Sequence, residues 1–180
     1  MKKIHYLVHS LAYYIAWFAC LTLAARGFAW LSSLVVLICV LAQLQWQYKT
    51  KQNTKGLWFL LGLIVIISTL VDSFLVFSGI IVLSANPFAP YVTSPWLITI
   101  WISFTVSLYA TLDILFDHLI LLGILSFSGF VFAFALGAKM GAVYFPYGYL
   151  TCLLIGAIWF ILLPCSVGLY QRIMRHNKSA

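Results

Sequence analysis

Charge is what this sequence has least of. Only 7% of its 180 residues are charged, and just three of those are acidic: Asp72, Asp113 and Asp117. A soluble domain carries about 25% charged residues because its surface must face water. Too few are present here to coat a globule, so lipid has to be the medium around most of the surface. The rest of the composition agrees, with 64% hydrophobic residues and a mean hydropathy of +1.09. At ~20 apolar residues per crossing, the chain has room for at most about seven crossings and none for a separate soluble unit. Residues 1–180 therefore read as a single integral membrane domain.

Other absences narrow the function. The chain has no Walker loop, zinc-protease helix motif, nucleophile elbow or dinucleotide glycine fingerprint. Two halves with matching interrupted helices, the mark of an inverted-repeat transporter, are absent as well. Cys20, Cys39, Cys152 and Cys165 form no CxxC pair and all fall in apolar runs. Thiols in hydrocarbon pack as small hydrophobes, so neither a disulfide nor a metal site is expected, and no cofactor is implied. The net charge of +7 would suit nucleic acid if the cations formed one face. Instead Lys2, Lys3, Lys49, Lys51, Lys55, Arg172, Arg175 and Lys178 sit at the chain ends or in one loop, and only Arg26 and Lys139 lie elsewhere. That is a topology signal, and no nucleic-acid partner is expected.

What is present is a series of apolar runs. They predict an all-α, polytopic transmembrane bundle of about six spans, over residues 8–25, 28–46, 57–83, 96–115, 119–143 and 149–170. The tight Arg26-Gly27 turn separates the first two, and polar residues 47–55 end the second. The third run is long enough for one tilted helix, with a break near Ser78-Gly79 as the alternative. Residues 84–95 carry three prolines and no charge, which marks a loop. Pro164 predicts a kink in the sixth span. Six crossings put both termini on one side with eight of the ten cations, which predicts cytoplasmic ends in a bacterial inner membrane. Lys2, Lys3 and the apolar run ending Leu23-Ala24-Ala25 could form a signal peptide. That run's length and its Tyr and Trp content favour a retained helix.

Ionisable groups within the bilayer cost about 2.5–3.5 kcal/mol each at a helix centre, so each one calls for a reason. Asp72 lies near the middle of the third predicted span and should face the interior. It would there be protonated or paired with Arg26, Lys139 or a hydroxyl such as Thr22. It reads either as an interhelical hydrogen bond or as a ligand or proton site. Asp113 and Asp117 share a face at i, i+4 beside His118. That invites a metal or acid–base reading, but a polar turn explains the same residues. His5 and His9 read as interfacial. Trp30, Trp46, Trp58, Trp96, Tyr144, Tyr147, Tyr149 and Tyr170 fall near span ends as an aromatic belt. The deeper Trp17, Trp101 and Trp159 call for packing or a pocket wall. The stripe Gly129-Ala133-Gly137-Gly141, with Gly123 and Ser126 before it, predicts that the fifth helix is central. Such a stripe serves either helix packing or a cavity wall.

Several local patterns, taken in order, resemble the domain-of-unknown-function family 2878. They are Trp17-Phe18 and Arg26-Gly27; Asp72 in an apolar run ending near Gly79; Pro95-Trp96, Trp101, Phe104 and Thr111-Leu112; and Gly137-Ala138-Lys139-Met140-Gly141-Ala142. The family tends to have Asn in place of Asp113 and a basic loop in place of Asp117-His118-Leu119-Ile120. The resemblance implies a multi-span inner-membrane protein of no assigned activity, with a lipid-related role suggested by neighbouring lipid-modifying enzymes. The favoured expectation is a non-enzymatic component whose partners are the bilayer and either a second membrane protein or a lipid-like ligand. Its candidate site combines Asp72, Arg26, Lys139 and Trp17. In size and span count alone, the chain is similar to substrate-binding subunits of vitamin importers and to cell-shape membrane subunits. The alternative is a lipid-modifying enzyme using Asp72 or the Asp113, Asp117 and His118 group. A stand-alone transporter is the weaker third reading, because one buried acid offers little ion pathway.

Overall fold

A computed structural model of the chain describes residues 2–50, 54 and 56–179, without the side chains of 2, 3, 113 and 177–179. Lys51 and Lys55, and the side chains of Lys2, Lys3, Asp113 and Lys178, thus lie outside the described residues. Six α-helices follow one another: α1 (Lys2–Ala25), α2 (Ala29–Lys49), α3 (Leu57–Phe77), α4 (Pro95–Thr111), α5 (Leu119–Lys139) and α6 (Leu150–Ser179). All but α4 are long and apolar enough to cross a membrane, since about 21 residues at ~1.5 Å each span the ~30 Å hydrocarbon core. Outward side chains such as Ile15, Ile66, Leu70 and Ile161 are exposed, as a surface facing lipid requires. The chain is a multi-pass membrane protein.

Successive helices run antiparallel, which gives the bundle a terminal end and a hairpin end. At the hairpin end the loops after α3 and α5 pair as two short antiparallel strands, β1 (Val82–Leu83) and β2 (Val143–Tyr144). Ser84 reinforces them, its N–H donating to the Ala142 carbonyl at 2.9 Å and its hydroxyl to that of Gly141 at 2.6 Å. At the terminal end a 3-10 turn, Asp113–Asp117, joins α4 to α5.

The third span stops earlier than its apolar run. Gly79 takes φ +67°, and Ile80 N–H donates to the Leu75 carbonyl at 3.0 Å. A left-handed glycine after the last turn ends a helix whatever the hydropathy of the residues beyond it. The fourth helix ends at Thr111 rather than near 115, and the fifth at Lys139 rather than near 143. The sixth continues through Pro164 to Ser179.

The central helix is α4, not the glycine-striped α5. It packs against α1, α2 and α3, whereas α5 packs chiefly against α6. Eleven of the 17 residues of α4 are buried against five of 21 in α5. Shielding from lipid explains why α4 can carry so many hydroxyls. Those of Thr99, Thr105 and Thr111 donate to carbonyls three or four residues earlier, at 3.0, 2.8 and 2.7 Å. The α5–α6 contact is a backbone approach. A Cβ on Gly123 would lie 2.9 Å from the Phe160 carbonyl oxygen, and one on Gly156 would lie 2.6 Å from Val131. Ser126 donates across this seam to the Trp159 carbonyl at 2.9 Å.

Candidate functional site

Polar groups in a bilayer interior survive where other groups shield or bond them, so they mark the places worth reading. Asp72 is fully buried and lies five residues before the end of α3. The early stop of that helix thus moves it from mid-span toward the hairpin end. Trp101 Nε1 donates to its Oδ2 at 2.7 Å. The cationic partners expected of it are elsewhere: Arg26 and Lys139 are exposed at the hairpin end. Thr22 donates to the Phe18 carbonyl of its own helix at 2.8 Å. Asp72 Oδ1 and the indole N–H of Trp159 have no partner among the described residues.

The bond to Asp72 fixes the ring that organises the middle of the bundle. Trp101 packs on Trp159 with centroids 4.2 Å apart and on Phe130 at 5.1 Å, and it meets Phe104 edge-on at 5.6 Å. Such aromatic pairs each contribute about 0.5–1.5 kcal/mol beyond their buried area. One carboxyl on α3 thereby orients a stack that ties α4, α5 and α6 together.

Beside this stack a cleft opens between α1 and α5, with α4 as its floor. The glycine stripe sets its shape. At Gly137 and Gly141 an added Cβ would sit 3.8 Å from Leu21 and 3.9 Å from Ala25, whereas at Gly129 it would meet nothing within 4 Å. The two helices thus touch at the hairpin end and diverge toward the terminal end. The open part encloses about 370 Å³, within the ~300–1,000 Å³ range of ligand pockets. Its mouth is edged by the exposed Tyr14, Leu125 and Phe132, and its buried lining includes Leu108 of α4, Leu122 of α5 and Leu163 of α6. A narrower chamber of about 40 Å³ continues toward the hairpin end, walled by Trp17, Trp96 and Trp101. Tyr13, Trp17, Phe104, Phe130 and Ala133 line both parts.

The remaining candidates fall away from the cleft. Asp117 and His118 are exposed and line none of it. The 3-10 turn that carries Asp113 and Asp117 also lacks the α-helical i, i+4 register assumed for them. Among the described residues, no three His, Cys, Asp or Glu side chains come together.

Two further findings were missed in the sequence. His9 is not interfacial but fully buried. It sits where the Gln43 amide reaches its carbonyl at 3.4 Å and Ser107 approaches Gln43 at 3.5 Å. Trp96 and Tyr170 are buried rather than members of the belt, Trp96 donating to the Ser84 carbonyl at 3.0 Å. The signal for both lay in α4. Its hydroxyl stripe Thr99-Ser103-Ser107-Thr111 has the same four-residue spacing as the glycine stripe and marks a face closed off by other helices.

A family model described as "Protein of unknown function (DUF2878)" matches residues 6–165. No curated protein and no solved structure matches the chain.

Proposed function

The chain belongs to this family of unknown function, so its role has to be read from its own cavities, and we propose that it is a non-enzymatic membrane component that holds an apolar chain of a lipid-like molecule in the α1–α5 cleft. The open cavity of about 370 Å³ carries this reading. It faces lipid sideways, so a bilayer molecule reaches it without crossing water. The lining extends along α4 from Thr111 to Trp96, roughly 22 Å of helix at ~1.5 Å per residue. That exceeds the ~15 Å depth of one leaflet and suits a long chain better than a compact solute. Ser10, Ser107 and Thr111 are among the residues lining the open part, where a polar head would find hydroxyl oxygens to donate to.

The lining argues against the enzyme alternative. Among its described residues there is no carboxylate, imidazole or thiol, and Asp72 stands behind Trp101 rather than in the wall. Acid–base work on a bound lipid would therefore fall to the phenols of Tyr13 and Tyr14, which line the cleft with no carboxylate or imidazole in the lining to exchange protons with them. In this reading the protein sits in a bacterial inner membrane with both termini cytoplasmic, as the basic residues favour.

Native mass spectrometry of protein extracted gently with its lipids tests the proposal. The expected result is a retained lipid-like adduct that disappears in Gly129→Trp, a change that projects an indole into open space. Bare wild-type protein, or an adduct indifferent to Gly129→Trp, would count against the cleft.

A further inference from the structure

Outside the cleft, α6 carries a second concavity that the proposed function does not use. Pro164, Gly168 and Arg172 follow at four-residue steps, with Arg175 three residues further, so they share one helix face. Gly168 has no side chain, and this leaves a trough bounded by Leu119 of α5 and Leu169. The wall is close: a Cβ on Gly168 would sit 3.4 Å from a Leu119 methyl. A volume of about 510 Å³ opens along this face, with Arg172 and Arg175 at its terminal end. The wall is also braced, because Gln171 Nε2 donates to the Phe116 carbonyl at 2.9 Å and ties α6 to the 3-10 turn.

We infer that this face binds an anionic phospholipid, with its phosphate on Arg172 and Arg175 and one acyl chain along Gly168 and Pro164. Charge and depth carry the inference. Both arginines are exposed residues, so Arg172 and Arg175 place positive charge at this end of the trough, and guanidinium groups match phosphate oxygens with paired hydrogen bonds. From Arg172 down to Pro164 is roughly 12 Å of helix at ~1.5 Å per residue, close to the ~15 Å depth of one leaflet. A phosphate held at the arginines would therefore sit at headgroup level while its chain lies in hydrocarbon. Basic pockets at the membrane edge of helical bundles recognise anionic headgroups in this way. The trough adds an apolar slot that a free phosphate would not need.

The test measures how many dioleoyl-phosphatidylglycerol and dioleoyl-phosphatidylcholine molecules native mass spectrometry finds on the protein from an equal mixture. Wild-type protein should retain the anionic lipid severalfold over the zwitterionic one. In R172Q/R175Q that preference should fall to near parity, and Gly168→Leu should weaken retention with both charges in place. Equal retention by wild-type protein, or a preference that survives R172Q/R175Q, overturns the site. Unchanged retention of the anionic lipid in Gly168→Leu also overturns it, reducing the effect to surface charge. If the double variant fails to fold, the wild-type ratio and Gly168→Leu still decide.

Discussion

At the scale of single residues, Asp72 shows how far chemistry was legible. An acid within an apolar run has to be buried and bonded, and that much follows from composition alone. Its donor did not follow, because an indole 29 positions away is one of several groups an aspartate could meet. Trp101 supplies the bond at 2.7 Å, and the consequence is testable. Asp72→Asn keeps a carbonyl acceptor of the same shape, whereas Asp72→Leu leaves the indole N–H without one. Hydrogen bonds between membrane helices contribute about 0.6 kcal/mol on average and up to ~1.7, and a stranded buried donor adds about 1–3 kcal/mol. Thermal unfolding in detergent should place Asp72→Asn near wild type and Asp72→Leu clearly below it. Equal losses would mean that the charge, not the acceptor, is what Trp101 needs. His9 was misread for a related reason: a histidine near a predicted helix start resembles an interfacial one until the neighbouring helices are placed over it.

At the scale of elements, the two small-residue patterns divide the work. Gly123 and Gly156 let α5 and α6 approach, whereas Gly129 borders open space. Overpacking a tight contact costs about 1–3 kcal/mol, so Gly156→Leu should lower the unfolding temperature. Gly129→Ala should leave it unchanged or raise it slightly, since alanine is the better helix former. A similar loss from both would contradict the wedge shape of the cleft. Helix positions were readable from apolar runs, but helix ends were not. The stop at Phe77 depends on the left-handed Gly79, which hydropathy does not register. Hydropathy also hid the importance of α4. Its hydroxyls lower the apolar signal for the reason that α4 can be central, namely that other helices keep it from lipid.

At the scale of the whole molecule, strand pairing places the loops after α3 and α5 at one end. Tyr91 and Tyr147 are both exposed there, and Tyr48 is exposed at the other end. In a variant with the native cysteines replaced, Tyr91→Cys and Tyr147→Cys should react with an impermeant maleimide from the periplasmic side, and Tyr48→Cys only from the cytoplasmic side. Labelling of the first two solely from the cytoplasm would invert the orientation that the basic residues predict. By itself the sequence determined the solvent and the architecture class. Seven per cent charge cannot coat a globule in water, and runs of about 20 apolar residues have few stable forms in lipid besides helices. Only the tertiary structure decided which helix is central, which indole bonds Asp72, and where α1 and α5 separate to leave a cleft. Those outcomes depend on contacts between residues far apart in the chain, and a small-residue stripe has the same spacing whether it meets another helix or an open space.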